Sequence, residues 1–340
     1  MRVLHVIAGA PFGGAETAFV DLITALKKRG VDQHAVIRSH LQRAHQLTEL
    51  AVPVTQVPFR KWFDWETPRA LREVSQKFQP HIVQTWMERA TTMLPKVSAC
   101  HVGWLGGFYK VQSYRACRHI VGVTPGIIKH MVDNGWPAHK ADVLRTFAVI
   151  EEAQPIDRCL YDTPVDAPLL LGLGRLHSDK AFDVLLKALV NVPEAYLWIA
   201  GDGVLRHELP QLAQRLGVAN RVRFLGWRTD RAALLKTCDI CAFPSRVEPF
   251  GTVIVEAWAY QAPLVTAAST GPREHVHHGD NGMIVPIDDV DALTDALRCV
   301  INDPVLRKRI VEGGWRDYQE KFTEEVVVSQ YLALYNRLLS

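Results

Sequence analysis

The sequence has no G-x-G-x-x-G, the glycine spacing of a dinucleotide-binding turn: Gly9, Gly13 and Gly14 follow the first apolar run and do not fit it. No acidic residue ends the second expected strand, Ala35–Arg38, where a ribose hydroxyl would be taken. Together these absences argue against a nicotinamide enzyme. No uncharged apolar run reaches the roughly 18 residues of a membrane-spanning helix. The opening MRVLHVIAGAPFGG has too short an apolar core for a signal peptide and reads as a buried first strand. Cysteines are few, six in 340 residues, and the single C-x-x-C at Cys238–Cys241 has no second pair. It reads as buried thiols in a reducing, cytoplasmic protein rather than a redox or zinc site. His275, His277, His278 and Asp280 lack helical ligand spacing, so no metal is expected there. Asp289-Val290-Asp291 reads as a helix N-cap region. Positive charge is modest: residues 1–160 carry a net +7 and residues 161–340 a net −4. No nucleic-acid motif accompanies it, and no nucleic-acid partner is expected.

What is present is an apolar fraction of 48% over 340 residues, enough for two domains with ordinary cores. The chain alternates apolar strands, glycine turns and helices, the pattern of a parallel sheet covered on both faces. One stretch organises it. The strand Ile240–Phe243 runs through Pro244-Ser245 into Arg246-Val247-Glu248-Pro249-Phe250-Gly251-Thr252, where a helix opens. Free N–H groups at a helix start bind anions. Glu248 and Glu256 stand eight residues apart along a chain that rises about 1.5 Å per helical residue. They cannot share a proton. They can hold opposite ends of a long ligand with an anionic middle, which is the shape of a nucleotide sugar.

A second such turn follows the strand Leu169–Leu173: Gly174-Arg175-Leu176-His177-Ser178-Asp179-Lys180, then a helix. Arginine offers a planar fork and lysine a movable charge, a good clamp for a diphosphate. Surface charge beside a helix is the plainer alternative. Gly201 closes the strand ending at Ala200, where a glycine fits a ligand crevice. Residues 151–168 are polar, carry three prolines and read as the linker.

The segment EPFGTVIVE, from Glu248 to Glu256, resembles the signature of the retaining glycosyltransferases of family 4, which have the GT-B fold. The resemblance implies two doubly wound, Rossmann-like α/β domains facing across a cleft. The expected bounds are 1–155 for the acceptor side and 160–322 for the donor side. A final helix, about 323–340, would pack back on the first domain. It further implies that Arg175 and Lys180 neutralise the leaving diphosphate, and that the turn at Trp227-Arg228 lies near the nucleobase. Gly13 and Gly14 would let their loop approach donor phosphates and acceptor; a tight strand-to-helix turn is the equal alternative. Phe250, Gly251 and Thr252 are expected beside the donor, Glu256 on the ribose and Glu248 on donor-sugar hydroxyls, since a carboxylate accepts two such bonds. Many relatives carry a histidine pair near residue 86. Here Trp86 and Glu88 stand instead, and His101 on a later strand reads as a core residue.

The expected activity is that of a hexosyltransferase moving a sugar from a nucleoside-diphosphate donor to a hydroxyl of a glycan or glycolipid, with retention at the anomeric carbon. Bacterial lipopolysaccharide or surface polysaccharide synthesis is the expected setting. An epimerase or phosphorylase of the same fold, or a binding protein without catalysis, are the alternatives. No cofactor or metal is expected. Arg60–Trp65 mixes cations with large aromatics and suits either a packed loop or peripheral contact with an anionic inner-membrane surface. The last segment is expected as helices over about 291–318 and 323–339.

Overall fold

Short apolar runs that could not reach helical length fold as parallel strands. In a computed structural model, which describes every residue except Phe12, the chain forms two units. The first is Met1–Phe147 with Glu324–Ser340, the second Ala148–Thr323. Residues 148–155 thus lie with the second unit rather than the first.

The first unit has seven strands: β1 (Arg2–Ile7), β2 (Asp32–Arg38), β3 (Val54–Val57), β4 (Ile82–Trp86), β5 (Cys100–Leu105), β6 (His119–Gly122) and β7 (Ala141–Val143). They pair in parallel in the order β3-β2-β1-β4-β5-β6-β7. The second unit has β8 (Leu169–Leu173), β9 (Tyr196–Ala200), β10 (Val222–Gly226), β11 (Ile240–Phe243), β12 (Leu264–Ala267) and β13 (Met283–Val285). Their order is β10-β9-β8-β11-β12-β13, also parallel. Each sheet therefore winds outward from its first strand and reverses once, between β1 and β4 and between β8 and β11. Loops leaving the carboxyl ends of those strand pairs flank a gap where open α/β sheets bind ligands.

The central strands are buried throughout, which explains their near-continuous apolar sequence: Val3, Leu4, Val6 and Ile7 of β1 and Leu169–Leu171 of β8 have no exposed surface. The polar 151–168 stretch is not a free linker. Arg158 donates to the Thr237 carbonyl at 2.7 Å and to Asp239 at 3.0 Å, Ile156 N–H donates to Thr237 Oγ1 at 2.7 Å, and Trp198 Nε1 donates to Thr163 Oγ1 at 2.9 Å. Its polarity serves a helix-end carbonyl and hydroxyl at Thr237 and the carboxylate of Asp239 just before β11, a purpose that shows no periodicity.

The helix expected over 291–318 is two, Val290–Asn302 and Pro304–Lys321. Pro304 cannot continue the first, and Asp303 caps the second by accepting from Val305 and Leu306 N–H at 2.9 Å. The last helix, Glu324–Leu339, belongs to the first unit. Buried Tyr331 and Tyr335 anchor it: Trp104 Nε1 donates to Tyr331 Oη at 3.1 Å, and Tyr335 Oη donates to Gln84 Oε1 at 2.5 Å.

Candidate functional site

In the second unit, the two glycine turns singled out in the sequence are the loops that leave β8 and β11. Because β8 and β11 pair directly, Leu170 beside Ile240 and Leu171 beside Cys241, the sheet itself brings the turns together. The β8 turn runs over Gly174, where an added Cβ would lie 3.5 Å from the Lys180 side chain. The lysine stem thus lies across Gly174 next to Arg175. Its Nζ sits 5.2 Å from the Phe243 ring centre and donates to Glu248 Oε2 at 2.5 Å. Arg175 is exposed and makes no ion pair among the described residues. Gly251 opens the Thr252–Ala259 helix with φ 95°, a left-handed conformation that favours glycine. Phe250 is buried edge-on to His275, ring centres 4.9 Å apart, and Gly271 N–H donates to the Glu248 carbonyl at 2.7 Å. Ser245 Oγ, buried two residues past the end of β11, has no hydrogen-bond partner among the described residues, an orphaned polar atom at the switch point.

The fastening between the turns was not read from the sequence. Arg246 donates to the Ser178 carbonyl at 2.7 Å, to both carboxylate oxygens of Asp183 at 2.9 and 2.8 Å, and to Asp288 at 2.5 Å. Arg246 and Val247 N–H also reach the Asp179 carbonyl, at 2.8 and 3.3 Å. Burial would raise the Asp183 carboxyl, but Arg246 and then Lys187 outweigh it and hold the group below its ordinary value. Arg246→Ala is expected to raise the KM for a substrate held by these two turns about tenfold, with a smaller effect on kcat, because it loosens the loop carrying Glu248 while Arg246 itself is tied up in contacts to the protein. Arg246→Lys should rescue only part, since an ammonium cannot make the paired bonds to Asp183. The carboxyl lowered in the folded state stabilises above its unfolded pKa, about 4. The stability gap between wild type and Arg246→Ala should therefore narrow as acid titration passes through the lower folded value, leaving the part owed to the Ser178 carbonyl. A gap that does not narrow, or kinetics unchanged at neutral pH, would remove Arg246 from this role.

Glu256 lies on the Thr252–Ala259 helix and pairs through Oε2 with Arg231 of the Arg231–Thr237 helix. Burial pushes its carboxyl up, and the Arg231 guanidinium opposes this without cancelling it. Among the described residues no hydrogen bond reaches its Oε1. Arg231 was missed: nothing in its local sequence marks a side chain that reaches across to another helix. Gly201 is a packing glycine: its N–H donates to the Gly226 carbonyl at 2.7 Å, and a Cβ there would fall 1.8 Å from the Gly174 carbonyl oxygen. Arg228 is held locally. It donates to Asp230 at 2.8 and 2.5 Å and to Tyr161 Oη at 2.6 Å, and these bonds raise its pKa despite partial burial. Trp227 beside it is half exposed. No described contact ties either one to the Lys180–Glu248 pair.

In the first unit, Gly13 and Gly14 lead into the Gly14–Lys28 helix. A Cβ on Gly13 would lie 2.4 Å from Glu16 Oε2. Glu16 Oε1 accepts from Ala10 N–H at 2.7 Å, and buried Arg43 donates to the Ala10 and Pro11 carbonyls at 2.8 and 3.2 Å. The glycines leave room that the chain's own carboxylate fills. Trp86, at the switch point of this sheet, packs against Trp104 with ring centres 4.5 Å apart and planes tilted by 34°, and Glu88 accepts from Ser113 Oγ at 2.5 Å. His101 is a core residue bonded to Thr85 Oγ1 at 2.9 Å, and burial lowers its pKa to about 4, so it is neutral at pH 7. Cys238 and Cys241 are free thiols, and burial raises the Cys241 pKa to about 12, which makes thiolate chemistry there unfavourable.

Comparison with known proteins adds three findings. Residues 158–316 match the family model of the glycosyl transferases group 1, and residues 12–151 that of Glycosyltransferase Family 4. The chain is 34% identical over 98% of its length, and 98% of the relative's, to the lipopolysaccharide core biosynthesis glycosyltransferase LpsE of Rhizobium meliloti. It is 32% identical to LpsD of the same organism, over 99% and 98%. Its fold is that of Anabaena HepE in complex with UDP-glucose: TM-score 0.86, 20% identity, 99% of this chain and 100% of that one. The lipopolysaccharide outer core galactosyltransferase WaaB is also similar, with TM-score 0.75, 19% identity, and 99% and 100% coverage.

Proposed function

The chain belongs to the group 1, family 4 glycosyltransferases of GT-B fold, and on that premise we propose that it transfers a sugar from a nucleoside-diphosphate sugar, with retention, to a hydroxyl of a lipopolysaccharide core acceptor. The observation that carries the reading is the meeting of the β8 and β11 turns through Lys180 and Glu248. Beside that pair stand Arg175, in no ion pair among the described residues, and the amide-bearing start of the Thr252–Ala259 helix. Support for the donor class comes from HepE, solved with UDP and UDP-glucose, and support for the setting from the two lipopolysaccharide core relatives.

In this reading Arg175, Lys180 and the amides at Gly251 and Thr252 hold the diphosphate. The free Oε1 of Glu256 accepts from the ribose, and Glu248 turns toward the sugar hydroxyls. Lys180 has three N–H donors, so it can keep Glu248 while serving a phosphate oxygen. The anomeric carbon–phosphate oxygen bond breaks as the acceptor oxygen attacks from the same face. The acceptor proton passes to a donor phosphate oxygen, and the nucleoside diphosphate leaves. Fixed cations and a helix terminus stabilise the charge that develops on it.

UDP at about a hundred times its dissociation constant should stabilise the protein by about 2.7 kcal/mol, read as a thermal shift. Uridine, guanosine and adenosine diphosphate sugars tested in parallel would identify the base. Labelled sugar recovered on acceptor with unchanged anomeric configuration supports transfer. Epimerised donor without acceptor product, phosphate-dependent cleavage, or binding without turnover would each replace it.

A further inference from the structure

The segment between β3 and the Glu66–Phe78 helix turns three large aromatic side chains to solvent: Trp62 is 72% exposed, Phe63 95% and Trp65 68%. Elsewhere in the same unit Phe19, Trp86 and Trp104 are buried and Phe108 is only 44% exposed, so three such side chains together are a local feature. A concentrated apolar tip of this kind marks an interaction surface.

The segment is held in shape. The Asp64 carboxylate closes its base, accepting from Arg60 N–H at 2.7 Å, Thr67 N–H at 2.9 Å and Thr67 Oγ1 at 2.7 Å. Thr67 Oγ1 in turn accepts from Phe59 N–H at 3.1 Å. Phe59 and Phe63 have φ of 45° and 51°, a left-handed conformation that bulky residues rarely adopt. The chain thus accepts backbone strain in a braced turn that buries Phe59 and points Phe63 outward.

We propose that Lys61–Trp65 is a docking finger that enters the interfacial layer of an anionic phospholipid bilayer. Indole rings, with an apolar body and a polar N–H, favour the headgroup level, and Phe63 between them suits the acyl boundary beneath. The Lys61 ammonium, 5.9 Å from the Trp62 ring centre and in no ion pair among the described residues, adds attraction to anionic headgroups, as does the net +7 of residues 1–160. No helix among the described residues is long and apolar enough to cross a membrane, so the contact is superficial. Placement agrees. The finger leaves the carboxyl end of β3, Leu41, 85% exposed, follows β2, and the glycine loop follows β1. All three lie on the ligand edge of one parallel sheet, so docking turns that edge toward the lipid. The value of this orientation for a lipid-borne acceptor rests on the glycosyl-transfer reading; the docking itself does not.

The test is flotation of the full chain with vesicles of phosphatidylcholine containing a quarter phosphatidylglycerol, without donor or acceptor. Wild type should float. The Trp62→Ser/Phe63→Ser/Trp65→Ser variant should lose about a hundredfold or more in partitioning, given the apolar area withdrawn, with an unchanged melting temperature. Wild type left in the soluble fraction, or a variant that floats equally well, would overturn the proposal. So would a wild-type dimer that the variant abolishes while vesicle binding stays the same, because the finger would then serve a second copy. UDP stabilisation is measured on the same samples, so a failed donor site and a failed membrane contact are read separately.

Discussion

Lys180→Ala is expected to lower kcat by about two to three orders of magnitude, with little change in the acceptor KM. The lysine is fixed where the β8 and β11 turns meet, its stem laid along Gly174 and its ammonium on Glu248. In the proposed reaction, removing it takes away charge where the leaving diphosphate would become more negative, and a mobile water cannot supply a fixed dipole in its stead. The variant also leaves the Glu248 carboxylate unpaired, so Lys180→Met, which keeps the stem, separates lost charge from lost packing. Both variants should melt near wild type and both should be slow. The assignment of Lys180 to the leaving group fails if steady-state kinetics with varied donor give an unchanged kcat in either.

Gly201→Ala should destabilise the protein by about 3 kcal/mol or more. The added methyl has no flexible neighbour to displace: it meets the Gly174 carbonyl oxygen at 1.8 Å, backbone against backbone. Relief would pull apart the ends of β8 and β9 and strain the Gly201 N–H bond to Gly226. The same movement would carry Arg175 away from Lys180. Urea unfolding followed by circular dichroism measures the loss, and a midpoint equal to wild type would show that the β8 turn retreats freely. Activity of any surviving folded fraction should fall with it, although Gly201 need touch no ligand.

The central strands of both units were legible because buried parallel strands are written as apolar runs bounded by glycine, whereas the short edge strands β3 and β13 were not read. The β8 and β11 turns were legible because a cation-bearing glycine turn and EPFGTVIVE each carry local chemistry. The direct pairing of β8 with β11, which makes them one place, is a fact of strand order that no local segment states. Arg246 and Arg231 went unread for the same reason: long side chains find partners far along the chain, at Asp183 and Glu256, and leave no periodic trace. The 151–168 stretch looked like a linker since its bonds go to distant carbonyls and carboxylates. Pro304 did announce the break between helices, but the apolar pattern on either side ran through it.

The Glu16 carboxylate under the first unit's glycine loop has one more consequence. A loop whose inner side already holds a carboxylate, with the Arg43 guanidinium near it, is a poorer seat for a second anion than for neutral groups that can donate hydrogen bonds. In the proposed reaction the two glycine-rich edges, alike in strand plan, would therefore divide the substrates: the Lys180 edge for phosphate, the Glu16 edge for the hydroxyls of the acceptor.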